Sequence, residues 1–236
     1  MLCRSLSVFF PAYNDAPSLP ELIRKTFAVL ETAAVDCEVI VINDGSFDNT
    51  ADVLLHLQTQ YGPRLRVITH QKNRGYGGAL RSGFEAATKE LVFYTDGDSQ
   101  YDVNELPLLL RQMRPGVGLV NGYKLERNDP RHRIWIGRIY NACARFLFRI
   151  QIRDVDCDFR LIRHTLLDQI HLTSTSGTIC VELVRKLELL KDWRVVEVGV
   201  HHYPRLYGRS QFFRVQSLLV TLVQLLRLYV RLVILA

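Results

Sequence analysis

Four short apolar runs, Leu6 to Phe10, Glu38 to Ile42, Leu65 to Thr69 and Leu91 to Thr95, are rich in Val, Ile and Phe and alternate with segments of helical period. Runs of this length, apolar on both faces, read as buried parallel strands, and the intervening Leu19 to Leu30, Asn49 to Leu57 and Gly78 to Thr88 read as amphipathic helices. This β-α-β alternation predicts an α/β fold, a mostly parallel sheet covered on both faces. A further strand is expected near Gly118 to Gly122, a helix over Leu106 to Met113, another around Ile179 to Leu190, and a strand at Val195 to Val200. Ligands of such sheets bind at the carboxyl ends of the strands. There the sequence places four polar clusters: PAYND (11–15), NDGSFDNT (43–50), HQKNRGYGG (70–78) and DGDSQYD (96–102).

The chain has 236 residues, 48% of them hydrophobic, enough to bury a sizeable core. Five cysteines, scattered and without a CxxC pair, argue against a disulfide framework or a zinc site and read as reduced thiols. The N-terminal apolar run is short and broken by Pro11, unlike a signal peptide, so a cytoplasmic location is expected. The net charge of +6 is uneven: −3 over residues 1–123, +5 over 124–163, −1 over 164–193 and +5 over 194–236. An acidic first half disfavours nucleic acid, while the two basic segments suit an anionic membrane surface or a polyanion.

In DGDSQYD, Asp102 is placed to cap the helix that follows. Asp96 and Asp98 stand two residues apart at the mouth of a buried strand, where like charges call for a counter-cation; hard carboxylate oxygens suit Mg²⁺ or Mn²⁺ shared with substrate phosphates. The stretch is not an EF-hand, whose sixth and twelfth loop positions fall on Tyr101 and Pro107. No P-loop occurs, and GYGGAL (75–80) lacks the third glycine of a dinucleotide fingerprint. Asp48, Asn49 or Thr50 can cap the next helix, whereas Asp44 serves either a turn or a nucleobase or ribose.

PAYND, NDGS, NRGYGGAL and DGD, in this order at the ends of consecutive strands, resemble the family 2 glycosyltransferases of GT-A fold. The branch most similar is that of dolichol-phosphate mannosyltransferases and bacterial polyprenyl-phosphate glycosyltransferases. The resemblance covers about residues 5–211, with DVDCDFRLIR (154–163) similar to a D-x-x-x-G-F-R segment and PRLYGRSQ (204–211) to an R-x-x-G-x-S-K loop. It implies a glycosyltransferase domain over 1–211 followed by a membrane-associated helix over 212–236. Pro11, Tyr13, Asp15 and Asp44 would hold the nucleoside of a nucleoside-diphosphate sugar, with Asp96 and Gly97 near ribose and sugar. Asp96, Asp98 and Gln100 would ligate Mg²⁺ or Mn²⁺, and Lys124, Arg205 and Ser210 would meet the donor phosphates. Asp98, Arg205 and Asp156 would be the catalytic set, Asp156 being either a base, an orienter of an acceptor-site arginine, or the ion-pair partner of Arg160 or Arg163. Two departures stand out: Asp158 replaces the family's glycine, and Gln211 its lysine, which leaves Arg209 to substitute.

The implied reaction is an inverting, metal-dependent transfer of one sugar to a polyprenyl phosphate at the cytoplasmic membrane face. A soluble transferase acting on a saccharide or protein hydroxyl, and a silent nucleotide-binding membrane adaptor, are the alternatives; a homo-oligomer is left open. Two segments bear on the membrane. In RIWIGRIYNACARFLFRI (133–150), Arg133, Arg138, Arg145 and Arg149 alternate with Trp135, Ile139, Leu147 and Phe148, as an interfacial helix requires, or as an ordinary helix with a solvated basic face would. Near the end, Arg214, Ser217, Thr221, Gln224, Arg227 and Arg231 form one polar stripe, which argues against a spanning helix and for one lying in the membrane interface or packed on the domain.

Overall fold

The computed structural model describes residues 3–126, 131–207 and 215–234. Its framework is a seven-stranded sheet of order β3-β2-β1-β4-β6-β5-β7. Strands β1 (Cys3–Ala12), β2 (Ala34–Asn43), β3 (Leu65–Thr69) and β4 (Leu91–Thr95) are mutually parallel, joined by α1 (Leu19–Ala33), α2 (Thr50–Tyr61) and α3 (Tyr76–Ala86). The remaining elements are α4 (Leu106–Gln112), β5 (Val117–Lys124), α5 (Arg131–Phe148), β6 (Phe159–Arg163), a single turn α6 (His164–Leu167), α7 (Thr178–Leu189), β7 (Arg194–Val200) and α8 (Val215–Tyr229).

Period-two alternation within the strands builds two cores. Leu6, Val8, Phe10, Val39, Val41 and Phe93 pack with α1 and α4 on one face, while Phe9, Ile40, Ile42, Val92 and Tyr94 pack with α3 and α7 on the other. Each such fully buried side chain contributes about 1.5–3 kcal/mol relative to exposure, so the central strands are fixed against a one-residue slip that would exchange the faces. The chain moves from β1 to β2 on one side and reaches β4 on the other, so the switch point of the sheet lies between β1 and β4.

The expected helices and strands are present, several of them longer than anticipated. Asp102 caps, as expected, but one turn earlier: its side chain accepts from the Asn104 N–H at 3.1 Å in a 3₁₀ turn (Val103–Glu105) that leads into α4. Of the three cap candidates before α2, Asp48 makes the bond, accepting from the Thr50 N–H at 3.0 Å.

One strand escapes the sequence pattern. β6 runs antiparallel between β4 and β5 and carries Arg160 at its centre, completely buried. A buried guanidinium is tolerated only when its donors are met. Arg160 donates to Asn121 Oδ1 at 2.6 Å, Asp158 Oδ1 at 2.8 Å, the Val155 carbonyl and the Tyr94 hydroxyl.

Helix α8 is not a free appendage. Leu225 and Leu228 join Phe148 and Ala144 of α5 and Val181 and Val184 of α7 in a third core, and Phe148 packs edge-on against Tyr229. Phe148 is therefore withdrawn from the interfacial role expected of it; Phe146, 84% exposed, stands outside instead with Trp135 and Ile139. Part of the polar stripe turns inward: Thr221 is buried and Gln224 bonds Thr175, Ser176 and Thr178, while Arg227 and Arg231 stay exposed, Arg231 bonding Thr173; Arg214 lies outside the described residues. The outer face of α8 and of the π-helical turn that continues it (Val230–Ile234) is apolar, with Leu222, Val223, Leu226, Val230 and Ile234 exposed. Among the described residues no helix is long and apolar enough to cross a membrane.

Candidate active site

The tips of β1 and β4 meet at the switch point. Pro11, next to the last residue of β1, has its carbonyl accepting from the Gly97 N–H at 3.1 Å, and a Cβ on Gly97 would stand 2.8 Å from that oxygen, so only glycine lets the two tips approach. Ser18 donates to the Gly97 carbonyl at 2.7 Å from the start of α1. Asn14, with φ of 58°, turns the chain so that the side chain of Asp15 accepts from the Tyr13 N–H at 3.0 Å; the Tyr13 ring meets the exposed Phe47 edge-on.

Asp98 is buried and ion-paired with Arg205, and its other oxygen accepts from the Gln100 N–H at 3.0 Å. Asp15 lies 4.0 Å from the same guanidinium. Segment 201–205 is held over β4 by a bridge between Tyr101 and His202, by the Tyr203 N–H donating to the Gln100 carbonyl, and by the Gln100 side-chain amide donating to the Tyr203 carbonyl at 3.1 Å. Asp96 accepts from the Tyr76 hydroxyl at 2.8 Å.

The crevice carries more negative charge than its own cation neutralises. Burial, with Asp98 and Asp48 adding to it, pushes Asp15 up to about 6. Burial also raises Asp96 well above the ordinary carboxylate range, helped by Asp158 and Asp98 and only partly opposed by Tyr76 and Arg205. Burial would lower Arg205, but Asp98 and Asp15 outweigh it and raise it. The Nε of Arg205 is buried and finds no acceptor among the described residues.

A divalent cation fits this donor set. The available atoms are hard oxygens of Asp96, Asp98 and Gln100, and the surplus charge is of the sign a cation relieves. Among the described residues no group of three or more His, Cys, Asp or Glu side chains could hold a metal.

Not every expected residue joins the cluster. Asp44 sits at the tip of β2, buried, with one oxygen taken by His70 Nδ1 at 2.6 Å and by the Arg74 N–H at 2.8 Å; His70 Nε2 in turn meets Ser82 Oγ at 2.9 Å. Lys124 is paired with Asp156, its ammonium donating to the Asp156 carbonyl at 2.5 Å and lying 3.6 Å from its carboxylate. The ion pair expected of Asp156 with Arg160 or Arg163 is thus replaced: Arg160 pairs with Asp158 and Arg163 with Glu90. Asp158, where the resemblance has glycine, has become the counter-charge of the buried Arg160 and also accepts from Cys180 Sγ at 3.0 Å. Ser210, with Arg209 and Gln211, lies outside the described residues.

Tyr76 and His70 were not singled out from the sequence, although both fall in the quoted HQKNRGYGG. The available signal was position alone, His70 directly after β3 and Tyr76 at the start of the next helix.

Comparison with known proteins follows the same lines. Residues 7–171 match the family described as Glycosyl transferase family 2. The chain is 29% identical over 207 residues to undecaprenyl-phosphate 4-deoxy-4-formamido-L-arabinose transferase of Pseudomonas fluorescens (strain SBW25), covering 88% of this chain and 60% of that protein. It thus spans about three-fifths of that relative's length. Among solved structures it is similar to glucosyl-3-phosphoglycerate synthase from Mycobacterium tuberculosis in complex with Mn²⁺, uridine diphosphate and phosphoglyceric acid: TM-score 0.71, 17% identity, 94% of this chain and 78% of that one. A mannosyltransferase from Pyrobaculum calidifontis in complex with GDP-Man and Mn²⁺ gives a TM-score of 0.67 at 19% identity over 96% of this chain and 65% of that one. At such identities the likeness is one of fold, and the fold is GT-A.

Proposed function

We propose, from the premise that this chain belongs to glycosyl transferase family 2, that it moves one sugar, with inversion, from a nucleoside diphosphate to a polyprenyl phosphate at the cytoplasmic face of a membrane. The observation that carries the donor half is the convergence of Asp15 and Asp98 on Arg205, with Asp96 beside them, at the switch point; Arg205 is the cation that the described residues pair there. Such a site binds a diphosphate only together with a further cation, because two anionic groups otherwise repel. The polyprenyl phosphate acceptor is supported by the name of the Pseudomonas relative.

In this reading Pro11, Tyr13, Asp15 and Asp44 hold the nucleoside, Asp44 being fixed from behind by His70. Asp98 and Gln100, with Asp96, would hold Mg²⁺ or Mn²⁺, which supplies Lewis-acid stabilisation of the departing diphosphate. Arg205 adds a positioned charge on the same leaving group, its free Nε being the donor left for a phosphate oxygen. Burial holds the pKa of Asp96 well above the ordinary carboxylate range, and a cation held beside it would favour the charged form. An acceptor phosphate, with a second pKa of about 6, arrives anionic at neutral pH and needs no strong base. Asp156, tied to Lys124, then serves to place that lysine rather than to abstract a proton.

Residues 1–211 form the transferase domain in this proposal, and 212–236 its membrane-facing helix. The exposed apolar side of α8, together with Trp135, Ile139 and Phe146 on α5, supports a surface that rests in the interface.

The test is a thermal-shift screen of nucleoside-diphosphate sugars with and without Mn²⁺, followed by transfer assays on the donor that binds. Stabilisation that needs both donor and Mn²⁺, and product on polyprenyl phosphate, is expected. Product on a water-soluble hydroxyl acceptor alone would replace the acceptor assignment.

A further inference from the structure

Between α8 and the loop that precedes α7 lies a cavity of about 210 Å³ lined by Thr173, Ser174, Thr175, Gln224, Arg227 and Arg231. Its walls are two guanidiniums, one amide and three hydroxyl side chains, with Leu228 as the apolar member. The only carboxylate bonded to this loop in the described residues, Glu182, is already satisfied. Burial would raise its pKa, but Lys186 at 2.7 Å and the donors of Thr173 and Ser174 outweigh that and hold it at about 2. Neither Arg227 nor Arg231 forms an ion pair among the described residues.

The lining is built rather than incidental. Gln224 is gripped by the Ser176 N–H, the Thr178 hydroxyl and the Thr175 hydroxyl at 3.0–3.2 Å, which fixes the pitch of α8 against the loop. Arg231 donates to Thr173 Oγ1, so one of its nitrogens is oriented while the rest of the fork stays available. The loop itself is immobilised from the far side, where Gly75 and Gly77 lie so close to the carbonyls of Thr175 and Ser174 that a Cβ at either would collide. Two arginines, an amide and hydroxyls around a space too small for a sugar nucleotide suit one phosphate group.

The same helix says where that phosphate comes from. Along α8 and the π-helical turn that continues it (Val230–Ile234), the residues between and beyond the arginines, Leu222, Leu226, Val230 and Ile234, are 53%, 57%, 43% and 62% exposed. An apolar ridge flanked by unpaired guanidiniums is complementary to a bilayer whose headgroups are anionic. We propose that the α8 pocket is a binding site for the phosphate of an anionic phospholipid headgroup, with the ridge beside it in the acyl region. This rests on the membrane half of the proposed function and adds to it a defined headgroup site, separate from the donor crevice.

The experiment uses the full chain with sedimenting vesicles of phosphatidylcholine alone or mixed with phosphatidylglycerol. Binding is expected to require the anionic lipid and to fall about fivefold for each arginine removed, hence about 25-fold for R227Q/R231Q. The control R111Q/K191Q removes equal charge elsewhere on the surface and is expected to bind nearly as wild type. T173V, which keeps both charges, is expected to weaken discrimination between the two vesicles. Glycerol 3-phosphate tests the source of the phosphate: weak competition with vesicles supports a lipid headgroup, whereas tight binding of the free phosphate with no vesicle binding overturns it.

Equal losses in R111Q/K191Q and R227Q/R231Q would reduce the effect to net charge and overturn the site. A chain that ignores vesicles and dimerises through α8 would do the same. An R227Q/R231Q variant with unchanged vesicle binding but a raised KM for polyprenyl phosphate would reassign the pocket to the acceptor. Donor binding, read separately by thermal shift with Mn²⁺, is expected to be unaffected; its absence in the wild type would sink the transferase reading while leaving the vesicle result standing.

Discussion

Towards the amino ends of the central strands, Glu38 is buried and saturated: it accepts from Ser7 at 2.7 Å, from the Thr88 N–H and hydroxyl at 2.8 and 2.7 Å, and from Arg66 at 2.7 Å. At the carboxyl ends, Asp15 and Asp96 are half-buried with fewer donors, and each has the charge of Asp98 nearby. Burial raises the pKa of all three, but only at Glu38 do the hydrogen bonds overcome it and lower the group. A carboxylate that the fold has fully paid for is structural; one left short of positive charge is waiting for a ligand. The two ends of one sheet therefore separate stability from binding.

The largest effect that would break this contrast is expected at Asp98. D98N should cut sugar transfer by on the order of a thousandfold, measured as initial rate at saturating donor, because it removes charge from the proposed cation site. The melting temperature should change little, since Asp15 still faces Arg205. Next is E38Q, which should cost about 3 kcal/mol in urea unfolding at pH 7 while leaving activity per folded molecule intact. The Glu38 contribution has a sign: its folded pKa is lowered, so its stabilisation is present above the unfolded value of 4.5 and is lost as pH falls below it.

Asp15 should show the opposite slope. Its folded pKa of about 6 exceeds 3.8, so between these values the folded state holds more protons and stability falls as pH rises. D15N should therefore raise ligand-free stability by about 3 kcal/mol at pH 7 and by nothing below pH 3.8, read as a melting-temperature difference across pH. The smallest effect is expected for Y76F, which removes one neutral donor from Asp96 and should raise the donor KM about tenfold or less. An unchanged KM would make Tyr76 a packing residue only.

Much of this contrast was open to sequence reading, and its failures are instructive. The first four strands announced themselves because Val, Ile and Phe cluster in them at regular spacing between helical segments, and the polar tips followed from strand ends that must meet water or ligand. β6 was hidden because Arg160 interrupts FRLIR, and a charged residue ordinarily marks a surface position. Only the contacts with Asn121, Tyr94, Val155 and Asp158 make that arginine a core residue, and they come from β4, β5 and the turn before β6 itself. The inward part of the polar stripe of α8 was hidden for a related reason: periodicity shows that a helix has two faces but not which one meets the domain.

The order of apolar runs and polar tips determined the α/β class and marked Asp96 and Asp98 as charges to watch, because period and spacing are properties of the chain alone, while the resemblance of its motifs to family 2 glycosyltransferases added Asp15 and Arg205. Partnership was decided by the tertiary structure. That Arg205 closes on Asp98 across 107 positions, that Asp156 takes Lys124, and that Arg227 and Arg231 face a pocket beside an apolar ridge depend on which tips and helices the fold brings within a few ångströms. Electrostatic and hydrogen-bond energies fall steeply with such distances, and linear sequence does not encode them.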